Sequence, residues 1–357
     1  MGLVRRGESV LVTGGCGSVG SAVVDYLLQS PISCEVSVFD NDERRVFEQR
    51  ASFDRAGSSV EFELGDVRDI ERLDTAVRNA DHIVHAAALK QVPQCERQPY
   101  ESVKTNVEGT KNVIKLAKRH GVESVLTVST DKATNPSSVM GASKMLAERV
   151  TLTADRRSGP DGPSFGSVRL GNVLGSSGSV VPVFLEQIEN GGPVTLTDER
   201  MTRFVITKTD AAAFIVDHIG DSPSGVTYIP ELDTIRIEDL AEVMTEIYAD
   251  HAPESGRVNV EKTGRRPGER LHEILVSQDE AHRTVRSNGE YVVHPPASDA
   301  GPEVADETRE QLMDGLSSNK PTPLGHEEIR QLLQETENIE SANTSTTTRL
   351  SAVPQHD

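Results

Sequence analysis

Val10–Leu28 reads VLVTGGCGSVGSAVVDYLL, an apolar run, then three spaced glycines, then a helical pattern. Val10, Leu11 and Val12 are too few for a helix and suit a short buried strand. Gly14, Gly17 and Gly20 allow a tight turn and let a phosphate approach the backbone. Ser18, Val19 and Gly20 then open a helix whose first N–H groups lack partners within it and suit a pyrophosphate. A glycine trio alone is a weak signal. At the first strand–helix junction of an alternating chain it becomes a strong one.

That alternation continues outward. EVSVFD, SVEFELGD, HIVHAAA and SVLTVST read as strands two to five, and FGSVRLGNV as a sixth. Helical patterns fit between them at about residues 42–55, 69–79, 99–120 and 138–157. This order predicts an α/β fold, a Rossmann-type doubly wound parallel sheet covered on both faces. Residues 1–175 form the dinucleotide-binding part, with returning segments from 200–235. Beyond about residue 175 Gly, Pro and Ser cluster, and helical segments near 209–219, 237–249 and 325–336 suggest a smaller, discontinuous C-terminal substrate-binding domain over 176–336. Residues 337–357 are polar and read as a disordered tail.

Asp40 ends strand two, 20 residues after Gly20. A carboxylate there accepts hydrogen bonds from the adenosine ribose and repels a 2′-phosphate, which favours NAD. Arg44 and Arg45 leave NADP open. Asp66 and Val67, after strand three, are placed to meet adenine, and Ala86, Ala87 and Ala88 are small enough for the cofactor to lie across the sheet.

The chain has 357 residues and a formal charge of −19. Such a surface repels nucleic acid and anionic membranes. Arginine outnumbers lysine; a high-salt cytoplasm and an ordinary acidic soluble enzyme both fit. Cys16, Cys34 and Cys95 form no CxxC pair, which suits a reducing cytoplasm. No apolar run approaches the roughly 20 residues of a membrane helix, and the N-terminal stretch does not read as a signal peptide. The ten histidines show no metal-ligand spacing, and His82, His85 and Cys95 read as core residues.

TGGCGSVG, AAALKQVPQCE, KTNVEGTKNV, STDKATNPSSVMGASK and VRLGNVLGSSGSVVPVF, with TDERMTRFVIT and GRRPGERLHE, extend from about Val10 to Leu333. Together they resemble the extended short-chain dehydrogenase/reductase superfamily, and within it the UDP-N-acetylglucosamine 4,6-dehydratases of polysaccharide biosynthesis, in a short soluble form. The resemblance implies a redox-neutral lyase with NAD, or NADP, and a UDP-sugar substrate. Hydride leaves C4, water is eliminated across C5 and C6, and hydride returns to C6. Asp131 is then the expected acid for the C6 oxygen and Lys132 the base for C5. The two would share one proton as a coupled pair, with burial, Lys144 and an oxidised nicotinamide helping to lower the lysine. Lys144 would hold the nicotinamide ribose. The superfamily's tyrosine, one turn earlier, is here Met140, so Thr130 or Asp131 is left to accept the 4-hydroxyl proton.

The same resemblance points Lys90 at the sugar, and Asn172, Ser179 and Val180 at the diphosphate, with an anion nest in GSSGSV. Arg203 and Arg266 are the expected diphosphate clamps, Glu269 the uridine ribose contact, and Thr195 a residue near uracil. Many relatives carry arginine where Ser177 stands. A UDP-sugar 4-epimerase and a catalytically silent NAD-binding regulator are the competing readings. Homo-oligomers, dimer or hexamer, are expected through the helices at 99–120 and 138–157.

Overall fold

The computed structural model describes residues 4–31, 33–56, 60–159, 161–220, 225–249, 258–266, 268–296, 308, 311–319 and 321–336. The tail expected at 337–357 lies outside them. The chain runs β1 (Ser9–Thr13), α1 (Ser18–Gln29), β2 (Glu35–Asp40), α2 (Glu43–Ala56), β3 (Val60–Leu64), α3 (Ile70–Val77) and β4 (His82–His85). Next come α4 (Val92–Arg97), α5 (Pro99–Ser102), a π-helical turn at Val103–Glu108 and α6 (Gly109–His120). β5 (Ser124–Thr130) ends in a 3₁₀ turn, Asp131–Ala133, before α7 (Val139–Arg156) and β6 (Ser164–Leu170). The second half contains β7 (Asn172–Val173), α8 (Val180–Glu189), β8 (Val194–Leu196), β9 (Thr202–Ile206), α9 (Lys208–Ile219) and β10 (Thr227–Pro230). β11 (Asp233–Arg236), α10 (Ile237–Ile247), β12 (Val260–Lys262), β13 (Ile274–Val276) and α11 (Gln278–Ala281) follow. β14 (Thr284–Ser287), β15 (Glu290–Val293), β16 (Leu316–Ser317) and a helix over residues 326–336 complete the described chain.

The main sheet has the order β14-β15-β10-β6-β5-β4-β1-β2-β3. From β3 to β10 every pairing is parallel, and β15 and β14 extend the edge antiparallel. The expected doubly wound α/β fold is present, and the antiparallel edge is an addition to it. Successive side chains of a strand point to opposite faces. Val10 and Val12 therefore pack with Val23, Val24 and Leu27 of α1 and Ile215 and Ile219 of α9. Leu11 packs on the other face with Leu73, Val113 and Leu116. A separate core gathers Leu174, Phe184, Ile188, Leu196, Leu240, Met244, Ile329 and Leu333 from the later segments. No helix among the described residues is long and apolar enough to cross a membrane.

Two expected elements differ. FGSVRLGNV is not one strand: β6 stays in the main sheet, while β7 joins the three-stranded sheet β11-β9-β7. The break falls at Gly171, where a Cβ would stand 2.7 Å from the Phe204 carbonyl oxygen of β9. The helix expected over 99–120 is interrupted by the π-helical turn. That turn carries Asn106 inward, where its side chain accepts from Leu89 N at 2.8 Å and donates to Leu89 O at 3.0 Å. The loop after β4 is thereby tied to the helix beside it.

Candidate active site

One cavity of about 460 Å³ opens at the carboxyl ends of β4, β5 and β6. Ligands bind at such strand ends in open α/β sheets. Its lining joins Val19, Ala86 and Ala88 with Lys90, Thr130, Lys132, Met140 and Lys144, and with Asn172, Ser179, Val180, Thr195, Arg203, Arg266 and Glu269. Residues far apart in sequence are thus brought to one place. Asp131 is fully buried behind this wall. Gly14, Gly17, Gly20, Asp40, Asp66, Val67 and Ala87 lie outside the lining.

At the glycine turn, Gly14 has φ +68°, and a Cβ there would come within 2.6 Å of Ala87 N. Side-chain-free backbone is required at that contact. A Cβ on Gly17 would meet nothing within 4 Å except Gly14 O at 3.1 Å, so the first turn of α1 faces open space. No side chain caps that turn. Asp40 is aimed by its own backbone partners: it accepts from Cys16 N and Asp42 N, each at 3.0 Å. Arg45 donates to Cys16 O at 3.4 Å. Asp66 instead pairs with Arg68 at 2.7 Å, and that hydrogen bond holds its carboxyl below the ordinary range. Val67 is buried against Gly109.

The 3₁₀ turn after β5 shapes the reactive centre. Thr130 caps it and donates its hydroxyl to Asp131 Oδ1 at 2.7 Å. Lys132 Nζ donates to the same oxygen at 3.0 Å and to Asn172 Oδ1 at 3.2 Å. Asp131 therefore communicates with the cavity through two neighbours that line it. Lys132 also faces Glu273, whose Oε1 lies 3.4 Å from Nζ. Burial pushes the Lys132 ammonium down, but Asp131 and then Glu273 push it up further, and the net direction is up. Asp131 is the larger raising partner, and Glu273 adds to it. Burial pushes Lys144 down to about 8, and its Nζ donates to Val128 O at 2.6 Å.

Four buried polar atoms here lack a hydrogen-bond partner: Ser129 Oγ, Asp131 Oδ2, Ser179 Oγ and Glu273 Oε2. Buried polar groups are normally paired, so a cluster of orphans around one cavity marks a ligand site. Ser179 is the N-cap of α8, so its orphan hydroxyl sits beside the first N–H groups of that helix, those of Val180 and Val181. Lys90 is held below the ordinary lysine range by desolvation and then by the charges of Arg45 and Lys208. The Arg203 guanidinium is turned onto Thr202 O at 2.7 Å, Leu271 O at 3.1 Å and Arg270 O at 3.0 Å. Glu269 accepts from Arg266 N at 3.0 Å. Thr195 is fastened to Gln187 through its hydroxyl at 2.8 Å and its backbone N at 2.9 Å.

His85 is a core residue between Thr13 and Thr110, and burial pushes it down to about 3. Cys95 is buried and its thiol is pushed up by burial. Sequence reasoning missed Glu273. The motif GRRPGERLHE ends on it, but nothing local says that its side chain turns toward Lys132.

Several known proteins are similar over most of the chain. An uncharacterized membrane protein of Methanocaldococcus jannaschii is 41% identical, over 81% of this chain and 86% of its own length. A UDP-N-acetylglucosamine 4,6-dehydratase (inverting) of Campylobacter jejuni is 34% identical, over 92% and 98%. A UDP-glucose 4-epimerase of Rickettsia prowazekii is 33% identical, over 91% and 95%. Among solved structures, Pen from Bacillus thuringiensis superposes with a TM-score of 0.84 at 32% identity, covering 94% of this chain and 99% of that one. DesIV, a dTDP-glucose 4,6-dehydratase of Streptomyces venezuelae with NAD bound, gives 0.65 at 26% identity, over 74% and 86%. The family model described as polysaccharide biosynthesis protein matches residues 10–295, and the chain belongs to that family.

Proposed function

We propose that the chain is a nucleotide-sugar 4,6-dehydratase that uses NAD and converts UDP-N-acetylglucosamine to a UDP-4-keto-6-deoxy sugar, a hydro-lyase reaction. The observation that carries this reading is the hydrogen-bonded Thr130–Asp131–Lys132 group at the end of β5. Elimination across C5 and C6 needs an acid and a base together; exchange at C4 alone does not.

The glycine turn fits the cofactor. The open space above Gly17, the uncapped start of α1 and the fixed Asp40 carboxylate suit a pyrophosphate and a free ribose diol. When bound, the nicotinamide accepts a hydride from C4 and returns it to C6. Lys144 would hold its ribose and Ser18 and Val19 its pyrophosphate, with the small alanines Ala86–Ala88 leaving it room across the sheet and Asp66 and Val67 near adenine. Ser179, Val180 and Arg266 hold the diphosphate, joined by Asn172, while Glu269 meets the uridine ribose and Thr195 the base. Lys90 faces the sugar. Arg203, spent on carbonyls, contributes charge to the pocket floor. Residues 1–175 supply the cofactor half and 176–336 most of the substrate half. The proposed setting is a reducing cytoplasm.

A second reading, 4-epimerisation, has the epimerase relative behind it. Proton spectra of the protein with UDP-N-acetylglucosamine in heavy water separate the two. Dehydration gives a 6-deoxy-4-keto product with deuterium at C5; epimerisation gives a 4-epimer without C5 exchange. Asp131→Asn and Lys132→Ala should each lower kcat at least about 100-fold. Full activity in both variants would remove these roles.

A further inference from the structure

Glu273 is the buried carboxylate that the mechanism above does not use. Its backbone is fixed from two sides, since Ser318 Oγ accepts from Glu273 N at 3.0 Å and Ser318 N donates to Glu273 O at 2.9 Å. β13 follows directly, and Leu275 O accepts from Arg169 at 2.6 Å and from Thr134 at 3.3 Å. The side chain is thus delivered to the cavity wall with little freedom. Oε1 lies 3.4 Å from Lys132 Nζ and 3.8 Å from Arg203 Nε. Oε2 is buried with no partner.

We infer that Glu273 is a proton store acting through Lys132, which takes the lysine's proton so that the amine can serve as the C5 base, while Thr130 and Asp131 stand in for the tyrosine missing at Met140. The inference rests on the dehydratase reading. Asp131 and Glu273 both face the Lys132 amine, and Arg203 lies on the far side of Glu273. A charged lysine cannot act as a base until it has lost a proton, and the closest acceptors facing it are Asp131 and Glu273.

The steps balance. The C4–H bond breaks with its electron pair leaving as hydride to the nicotinamide, and the 4-hydroxyl proton passes through Thr130 Oγ1 to Asp131. Lys132 hands its proton to Glu273 and becomes a neutral amine. It then takes the C5 proton, and the C5–H pair forms the C5–C6 double bond. The C6–O bond breaks as Asp131, through Thr130, protonates the oxygen, which leaves as water. Hydride returns to C6, the double-bond pair takes the proton of Lys132 at C5, and Glu273 returns its proton to Lys132. Two protons are released by the sugar and two are consumed.

The groups facing Lys132 are Asp131 from its own turn, Glu273 from the segment before β13 and Arg203 from β9. The two carboxylates raise the lysine and the guanidinium lowers it. In Glu273→Gln the lysine loses one raising partner, so its titration midpoint should fall by about one pH unit or more, read by ¹⁵N NMR of the lysine side chains. In the same variant kcat should drop about 100-fold near neutrality and recover as pH rises through the new midpoint. Glu273→Asp should restore part of the rate. A merely structural role would give no such recovery with pH. An unchanged midpoint, together with a wild-type kcat and pH profile in Glu273→Gln, would overturn the inference. If the wild type makes no 6-deoxy-4-keto product, the dehydratase reading falls, while the NMR midpoint still decides whether Glu273 and Lys132 are linked.

Discussion

Met140 is 4% exposed and lines the cavity one helical turn before Lys144. A thioether cannot carry a proton, so its place in the wall is filled by packing. Met140→Tyr would bring back a phenol beside a lysine held at about 8. With Thr130, Asp131, Lys132 and Glu273 already linked, the expected result is no gain in kcat. Overpacking a tight wall costs roughly 1–3 kcal/mol of stability, so a fall in melting temperature with no rise in kcat is the expected outcome. A marked rise would show that the native relay is a poor substitute. At this scale the sequence was informative wherever chemistry follows from neighbours along the chain. Asp131 and Lys132 are adjacent, and both sit where the end of a parallel strand puts them. Glu273 was not legible, because its partner is reached across the fold rather than along it.

Between elements, the best-defined joint is Arg169 of β6, held between Glu148 of α7 at 2.8 Å and Glu280 of α11 at 3.0 Å. All three side chains are buried. Burial alone would push the Glu280 carboxyl up; the Arg169 guanidinium draws it down to about 2. A depressed carboxyl stabilises the fold above its ordinary value of 4.5, and that contribution is lost as pH falls toward about 2. Glu280→Gln should therefore destabilise the protein at neutral pH by about 3 kcal/mol, since it removes one of the two carboxylates paired with the buried Arg169 and the one paired with Arg283. Urea unfolding should show the gap to wild type closing as pH falls through that window. A constant gap would mean that the loss is one of packing. Hydrophobic period placed α1, β2, β5 and α7 almost to the residue. It did not show the π-helical turn, whose cause is the hydrogen bonding of Asn106 to the loop after β4. Nor did it show β14 and β15, four residues each and too short for a period of two to stand out.

For the whole molecule the open matter is its assembly. Tyr100 and Val103, near the start of the helical segment before β5, are 76% and 42% exposed, and Leu146 of α7 is 45% exposed. α5 and the π-helical turn both pack on α7, so these exposed side chains lie on elements that touch one another. Large apolar side chains gathered on one surface more often mark an interface than open solvent. The proposed occupant is a second copy, paired about a two-fold axis that sets the same patch against itself. Each copy carries −19, so pairing works against repulsion that salt screens over about 10 Å at 0.1 M. Light scattering should then give a mass near twice 38.7 kDa, with the dimer favoured as salt is raised. Tyr100→Glu combined with Leu146→Glu adds two more negative charges to each face of that patch, and should shift the mass to a single chain while the cavity residues stay in place. A wild-type protein that remains a single chain at high salt would leave this patch without the proposed partner.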